Sequence, residues 1–324
     1  MTSRISSPAL LEPYLGLPEE AALVVITGVL GASTNWLVLR YLHSLLKPAP
    51  QARPPPPAPT GGADDTTTTG HHFPGEPRTE QDGGGEGEVC VLLVSFLRDF
   101  RFWKESAGRL GLDLDGLVRR GRLGFVDGLS GLFSPVTAAA VIHSGDRTAQ
   151  SGGVSATLTS PLIADVGRVL QAAVDELQAK AAAALSDSGT GNVKPRVVLV
   201  VDQLDFLLAA RAESSASGQD IQNVLLDLRE KIHATILTLS ADEPLVISQT
   251  TGLEKEHAAF ILSLAHEAWA VLSLRLLDTG VAKDVSGVVR ITPGGDGSGK
   301  KVDEKEFLYH VGGDGGVRVF ERGQ

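Results

Sequence analysis

The chain has 324 residues, of which 42% are hydrophobic and 21% charged, as is typical of globular proteins. Its formal net charge of -10 argues against a nucleic-acid-binding protein that acts alone, because neutralising phosphates requires a basic surface. The single cysteine, Cys90, excludes a disulfide framework and a cysteine-based zinc site, and we expect neither a metal nor a cofactor.

The first predicted elements are a buried strand over residues 21–26, a loop over residues 28–35 (GVLGASTN) and a helix that contains Trp36 and Tyr41. The 19 residues between Glu20 and Arg40 are uncharged and resemble a membrane span in length. Glycines, Ser33 and Thr34 in the middle favour a strand, a turn and a helix instead. We therefore expect no membrane segment.

A proline-rich tract interrupts the pattern at residues 47–88, a stretch that contains nine of the 17 prolines and then a Gly/Glu run. Because the tract has almost no apolar residues, it cannot offset the entropy lost on ordering. We predict a disordered insertion within one domain that spans residues 1–324.

Further strands are predicted over residues 89–96, 123–126, 197–201, 245–248 and 268–277, with helices between them. One long helix is predicted from Ile221 to Leu239, and another covers residues 257–266. The last strands, 288–292, 307–311 and 317–320, have no helices between them. This order predicts an α/β fold with a mainly parallel central sheet and an antiparallel C-terminal edge.

The loop at residues 28–35 lies where such folds bind phosphates, and it contains Gly28, Gly31, Ser33 and Thr34. The Walker pattern G-x-x-x-x-G-K-[ST] needs a lysine that this loop lacks. We therefore predict a tight turn with a Ser33 or Thr34 helix cap, or at most a degenerate nucleotide site. Asp202, at the end of the strand VVLVV, stands where a Walker B aspartate would hold magnesium, but without the phosphate-loop lysine we favour a plain loop or cap role.

A second glycine-rich segment, residues 294–301 (GGDGSGKK), matches the Walker pattern more closely, but the residues after it lack a helical apolar face. We expect a hairpin loop there. An active P-loop-type ATPase or nucleotide kinase that uses one of these two loops remains the alternative function.

Other candidate residues give weaker signals. Arg119, Arg120 and Arg122 form the densest basic cluster and are the candidate nucleic-acid contacts. His257 and His266 are nine residues apart on one predicted helix, so we expect them to face different directions rather than share a metal.

Four segments carry a resemblance to a known family: residues 89–114 (VCVLLVSFLRDFRFWKESAGRLGLDL), 119–129 (RRGRLGFVDGL), 195–209 (PRVVLVVDQLDFLLA) and 279–291 (TGVAKDVSGVVRI). In their order and spacing, together with FLYHV near the end, they resemble the sixth subunits of the Elongator complex, in a fungal-type version. The first 20 residues and the proline-rich tract lie outside the resemblance.

The resemblance implies a RecA-like three-layer fold without Walker motifs and a non-catalytic role. It implies a heterohexameric ring with the fourth and fifth Elongator subunits, which binds tRNA and docks on the catalytic subcomplex that modifies wobble uridines at carbon 5. It also implies a cytoplasmic location and allows a nuclear one. By analogy with RecA-like rings, residues 202–217 and 249–256 are candidate pore loops.

Overall fold

Strands and helices alternate along most of the chain in the computed structural model, which describes residues 8–47, 88–133, 153–187, 194–210, 217–277, 282–296 and 301–322. These residues belong to one unit formed by Met1–Lys47 and Gly87–Gln324. The predicted insertion at residues 47–88 lies outside the described residues except for Lys47 and Glu88.

A single sheet forms the centre of this unit. Within the described ranges its order is β10-β9-β8-β7-β1-β6-β5-β2-β3-β4. The strands from β7 to β4 in this order are parallel, and β8, β9 and β10 add an antiparallel edge. The strands are β1 (Leu23–Gly28), β2 (Val89–Ser95), β3 (Leu123–Asp127), β4 (Ala156–Thr157), β5 (Arg196–Asp202), β6 (Ala234–Ser240), β7 (Ala270–Arg275), β8 (Gly287–Pro293), β9 (Lys305–Val311) and β10 (Val317–Phe320).

The helices connect the parallel strands and cover the sheet. Asp99 and Asp113 begin two of them, and each carboxylate accepts a hydrogen bond from a backbone N–H of the first turn, as N-caps do. The helices are α1 (Glu12–Leu15), α2 (Asn35–Leu46), α3 (Phe100–Arg109), α4 (Leu114–Arg119), α5 (Ser130–Phe133), α6 (Ile163–Asp187), α7 (Phe206–Ala210), α8 (Gly218–Arg229) and α9 (Gly252–Glu267).

Two hydrophobic cores lie on opposite faces of the sheet. In β1, Val24 and Ile26 belong to the core under α2, α3 and α4, whereas Leu23 and Val25 belong to the core under α6, α8 and α9. Because both faces are covered, the central strands are unbroken apolar runs rather than alternating patterns. The result is a three-layer arrangement.

The predicted long helix from Ile221 to Leu239 is wrong. Helix α8 ends at Arg229, and β6 begins at Ala234 and runs between β1 and β5. The spacing of apolar residues in this stretch fits both the helical period of about 3.6 and the strand period of about 2. The β-branched residues Thr235 and Thr238 favour the strand, in which both are buried.

The strand predicted over residues 245–248 is also wrong, because Pro244–Ser248 forms a π-helical turn. Its Ile247 is 71% exposed. A strand is stabilised mainly by packing of its side chains, which this segment lacks.

The uncharged stretch before Arg40 divides into β1, a loop and α2, as the sequence predicts. None of the helices in the described part of the chain is both long and apolar enough to cross a membrane.

Candidate functional site

The carboxyl ends of β1, β2, β5 and β6 meet at one edge of the sheet because these strands are parallel. Ligands of open α/β sheets bind outside this edge. A cavity of about 270 Å³, which we call the β1-edge cavity, lies there and is lined by residues 28–35, Leu97, Arg98, Gln203, Ser240 and Asp242.

The loop between β1 and α2 is a tight turn whose two glycines are both required. A Cβ on Gly28 would lie 2.9 Å from the carbonyl oxygen of Ala32 and 2.9 Å from Cγ2 of Thr34. Gly31 has a φ of 92°, a conformation that side chains rarely adopt. The sequence prediction of a tight turn is therefore confirmed.

Several backbone N–H groups of this loop have acceptors within the protein. The N–H of Leu30 donates to Oδ1 of Asp242 at 2.7 Å, and the N–H of Ala32 donates to the Val29 carbonyl at 2.8 Å. The N–H of Asn35 donates to the Ser33 hydroxyl at 3.3 Å. A phosphate in this loop would have to compete with these acceptors for the same donors.

The predicted helix cap is only partly confirmed. Thr34 precedes α2 at the N-cap position, but its buried side chain makes no capping hydrogen bond. Ser33 provides the hydroxyl that accepts from Asn35. In the Walker pattern Thr34 stands at the position of the lysine.

A cation that the sequence analysis missed lines the cavity. Arg98 follows β2, and its guanidinium lies 5.2 Å from the centroid of the Phe102 ring, a cation–π distance. Its Nη1 donates to the Leu97 carbonyl at 3.2 Å. The only signal in the sequence is a basic residue shortly after a buried strand.

Asp202 is buried beneath the cavity at the end of β5. Its Oδ2 accepts from the Ser95 hydroxyl at 2.8 Å, and its Oδ1 accepts from the Thr238 hydroxyl at 3.1 Å. Burial raises the pKa of this carboxyl, and the two hydrogen bonds oppose the rise. Both oxygens are thus used within the sheet.

A metal site would need several ligands close together. Across the ranges that the structure describes, no group of three or more His, Cys, Asp or Glu residues is placed to hold an ion.

The two candidate pore loops begin at this same edge, although residues 211–216 lie outside the described residues. Between them, Nε2 of His257 lies 3.1 Å from Oδ2 of Asp205, and both side chains are buried. His266 is exposed. The two histidines of α9 face different directions, as the sequence predicts.

The basic cluster lies at the opposite edge of the sheet, in the turn between α4 and β3. The Arg122 side chain is only 14% exposed, pairs with Glu88 at 2.9 Å and donates to the carbonyls of Leu46 and Val89. Arg119 and Arg120 are exposed. Of the three arginines, these two are accessible to another molecule.

The second glycine-rich segment also lies at that opposite edge, between the antiparallel strands β8 and β9. The N–H of Gly294 donates to the Trp269 carbonyl, and Trp269 in turn donates to Leu23 at the start of β1. Among the described residues after the segment there are only strands β9 and β10 and no helix, and β8 pairs with β9 in antiparallel fashion, so the hairpin prediction is confirmed. Residues 297–300, which include the first lysine, lie outside the described residues.

Comparisons with known proteins agree with this architecture. The family model described as Elongation complex protein 6 matches residues 86–312. The Elongator complex protein 6 of Xenopus laevis is 27% identical over 239 residues, which are 72% of this chain and 80% of that protein.

A KaiC-like protein from the archaeon Pyrococcus horikoshii has a similar structure, with a TM-score of 0.50 and 17% identity over 98% of this chain and 99% of the other. The fold is therefore RecA-like, with a mainly parallel sheet and an antiparallel C-terminal edge, as the sequence predicts.

Proposed function

Because the chain belongs to the Elongation complex protein 6 family and is a subunit of the Elongator complex, we propose that it is a non-catalytic ring subunit. Its partners in the ring would be the fourth and fifth Elongator subunits, in a heterohexamer. The ring would bind tRNA and present it to the catalytic subcomplex, which modifies wobble uridines at carbon 5. The proposed location is the cytoplasm and also the nucleus.

The observation that carries the non-catalytic role is the β1–α2 loop. Thr34 stands at the lysine position, and the Asp242 carboxylate holds the N–H of Leu30. Phosphoryl transfer depends on cations and backbone donors that stabilise the charge of the transferring group. A loop that lacks the cation and whose Leu30 N–H is bound by the Asp242 carboxylate from a neighbouring segment is suited to structure rather than catalysis.

Exposed apolar residues at the same edge support a partner subunit there. The side chain of Leu30 is 86% exposed and that of Ile247 is 71% exposed. Leu97 and Leu276 are also exposed. All four residues come shortly after the carboxyl end of a parallel strand. Large apolar side chains grouped at one edge indicate a protein interface. This edge would contact the neighbouring subunit of the ring.

Contact with tRNA would use local positive charge, because the chain as a whole is acidic. Arg119 and Arg120 are the exposed members of the basic cluster, and we propose that they contact the phosphate backbone in the assembled ring. Replacing both with alanine would then lower the affinity of the ring for tRNA and reduce its salt dependence. The matched control is Arg101→Ala, which changes an exposed arginine of α3.

The test of the ring is co-expression with the fourth and fifth subunits, followed by native mass measurement. We expect a heterohexamer, and we expect Leu30→Asp together with Ile247→Asp to prevent its assembly. Leu262→Asp is the control, because Leu262 is 58% exposed on the outer side of α9. A chain that stays monomeric beside both partners would refute the assignment.

One observation favours the alternative, an active ATPase or nucleotide kinase. Arg98 lines the β1-edge cavity and provides a positive charge near the loop. The alternative predicts micromolar binding of ATP to the purified chain, abolished by Arg98→Ala or Lys300→Ala. The scaffold proposal predicts no such binding.

A further inference from the structure

A second cavity lies on the other side of the β1–α2 loop, between α2, α3 and the hairpin of β9 and β10. Its volume is about 380 Å³, within the range of small-molecule sites. We call it the α2–β9 cavity. Nothing in the proposed ring function requires it.

The feature that singles out this cavity is a buried cation. Arg40 of α2 lines it and is 1% exposed. Its Nη2 makes one long contact of 3.5 Å to the Gly315 carbonyl, and its Nη1 has no hydrogen-bond partner in the described residues. Burial lowers the pKa of this guanidinium.

In the part of the chain that the structure describes, Arg40 also lacks an acidic partner. The ion pairs of the described residues include none with Arg40, although eight other arginines are paired. Burying a charge without a partner of opposite sign is strongly unfavourable. A guanidinium in this position is therefore suited to an anion that comes from elsewhere.

Trp36 lies on the same face of α2, four residues before Arg40, and also lines the cavity. Its side chain is buried, and its indole ring lies 5.0 Å from the ring of Tyr309. The Trp36 N–H interacts with the Tyr309 hydroxyl, where it opposes the rise in pKa that burial causes. The open donors are therefore the two N–H groups of Arg40 Nη1, which have no partner in the described residues and which a carboxylate can accept together.

The remaining wall is mainly apolar. Aromatic and aliphatic side chains surround Arg40, and the exposed Arg109 lies at the end of α3. The apolar lining residues include Leu39, Phe102, Leu110, Val311 and Val317. An occupant must therefore combine a small anionic group with an apolar body.

We propose that the α2–β9 cavity binds a carboxylate carried on an apolar body, with the carboxylate paired to Arg40 and the apolar part against Phe102 and Leu110. A carboxylate fits better than a phosphate dianion, because one buried cation neutralises one negative charge. The carboxylate can come from a free small molecule or from an acidic side chain that a partner subunit inserts into the cavity.

The test is thermal unfolding and isothermal titration of the full chain with phenylbutyrate, compared with the neutral phenylbutyramide. We expect phenylbutyrate to raise the melting temperature and to bind at least about tenfold more tightly than the amide, because only the anion forms an ion pair with the buried guanidinium. Equal binding of the two compounds, or no binding of phenylbutyrate, would overturn the proposal.

Variants locate the site. Arg40→Met should weaken binding of phenylbutyrate at least about tenfold and raise the melting temperature of the unliganded chain, because it removes an unpaired buried charge. Arg101→Gln is the matched control, since Arg101 is exposed on α3 and does not line the cavity. Unchanged binding in Arg40→Met would place the ligand elsewhere and contradict the proposal. If Arg40→Met does not fold, the comparison of phenylbutyrate with phenylbutyramide on the natural chain still tests the proposal.

The two sources are distinguished by repeating the titration with the chain in complex with its partner subunits. Retained binding of phenylbutyrate identifies a site for a free carboxylate. Binding by the isolated chain that is lost on assembly identifies an acidic side chain of a partner as the occupant. Both outcomes support the carboxylate site, and absence of binding in the isolated chain refutes it.

Discussion

The backbone N–H of Leu30 donates a 2.7 Å hydrogen bond to Oδ1 of Asp242, which joins the β1–α2 loop to the segment after β6. The Asp242 carboxylate thus accepts the hydrogen bond of a backbone N–H in the loop that lines the β1-edge cavity. In a nucleotide-binding protein of this fold, a phosphate oxygen takes such a position. Here an acidic side chain of the protein itself does so.

Replacing Asp242 with alanine should free the N–H of Leu30 and loosen the loop. Because the contact is exposed, we expect the free energy of unfolding to fall by about 1 kcal/mol or less, while the amide of Leu30 exchanges faster with solvent. Hydrogen exchange measures the second effect directly. Glu243→Ala, which changes the exposed neighbouring acid, should leave the exchange rate of Leu30 unchanged. An equal effect of both variants would contradict the role of Asp242.

Asp202→Asn should stabilise the protein at neutral pH. Burial raises the pKa of Asp202 in the folded state, so the folded protein holds the proton more tightly than the unfolded chain does. The favourable contribution of this group is fully present below about pH 4 and is lost as the pH rises toward the raised pKa. Asparagine does not ionise, so the variant keeps its stability as the pH rises. Its side-chain amide can still form hydrogen bonds with the hydroxyls of Ser95 and Thr238.

Denaturant unfolding at several pH values tests this prediction. The difference in the free energy of unfolding between Asp202→Asn and the natural chain should grow with pH and be larger at pH 7 than at pH 4. Asp227→Asn, at an exposed position of α8, is the control and should show a smaller and flatter difference. The opposite result, in which Asp202→Asn loses stability relative to the natural chain as the pH rises from acidic to neutral, would show that ionised Asp202 stabilises the fold and would contradict the prediction.

Arg122→Met should destabilise the fold. Its guanidinium pairs with Glu88 and donates to the carbonyls of Leu46 and Val89, which would lose their partners. We expect a loss of about 1–3 kcal/mol in the free energy of unfolding. Arg120→Met, at an exposed neighbouring position, should change it by less than about 0.5 kcal/mol. Similar values for the two variants would mean that the contacts of Arg122 contribute little.

Cys90 should be unreactive toward Ellman's reagent in the folded protein. The thiol is 1% exposed, and burial, aided by Glu88, raises its pKa to about 11, although Arg122 opposes the rise. Only the thiolate reacts. At pH 8 we expect no reaction of the native chain and one thiol per chain in guanidinium chloride. Rapid labelling without denaturant would show that the start of β2 opens readily.

The central strands could be predicted because burial on both faces leaves an unbroken apolar run, as in β1, β2 and β5. Strand β6 could not be predicted in this way. Its buried Thr235 and Thr238 interrupt the apolar run, and its apolar residues continue the helical spacing of α8. Long-range packing between β1 and β5, which local sequence does not contain, decides its conformation.

The candidate site shows the same limit. The turn and the absence of a lysine follow from Gly28, Gly31 and Thr34 alone. Arg98 and Asp242 follow β2 and β6 and line the same cavity as the loop, and Arg40 is recognised as an unpaired cation only when its surroundings are known. Contacts between residues far apart in sequence require the fold.

The most direct measurement of the central claim, that this RecA-like fold serves as a scaffold, is steady-state ATP hydrolysis by the purified chain. The account predicts no turnover above that of a matched preparation without the protein, because the loop lacks its lysine and the Leu30 N–H is bound by Asp242. Hydrolysis at about 1 s⁻¹ or faster, abolished by Arg98→Ala or Lys300→Ala, would contradict it.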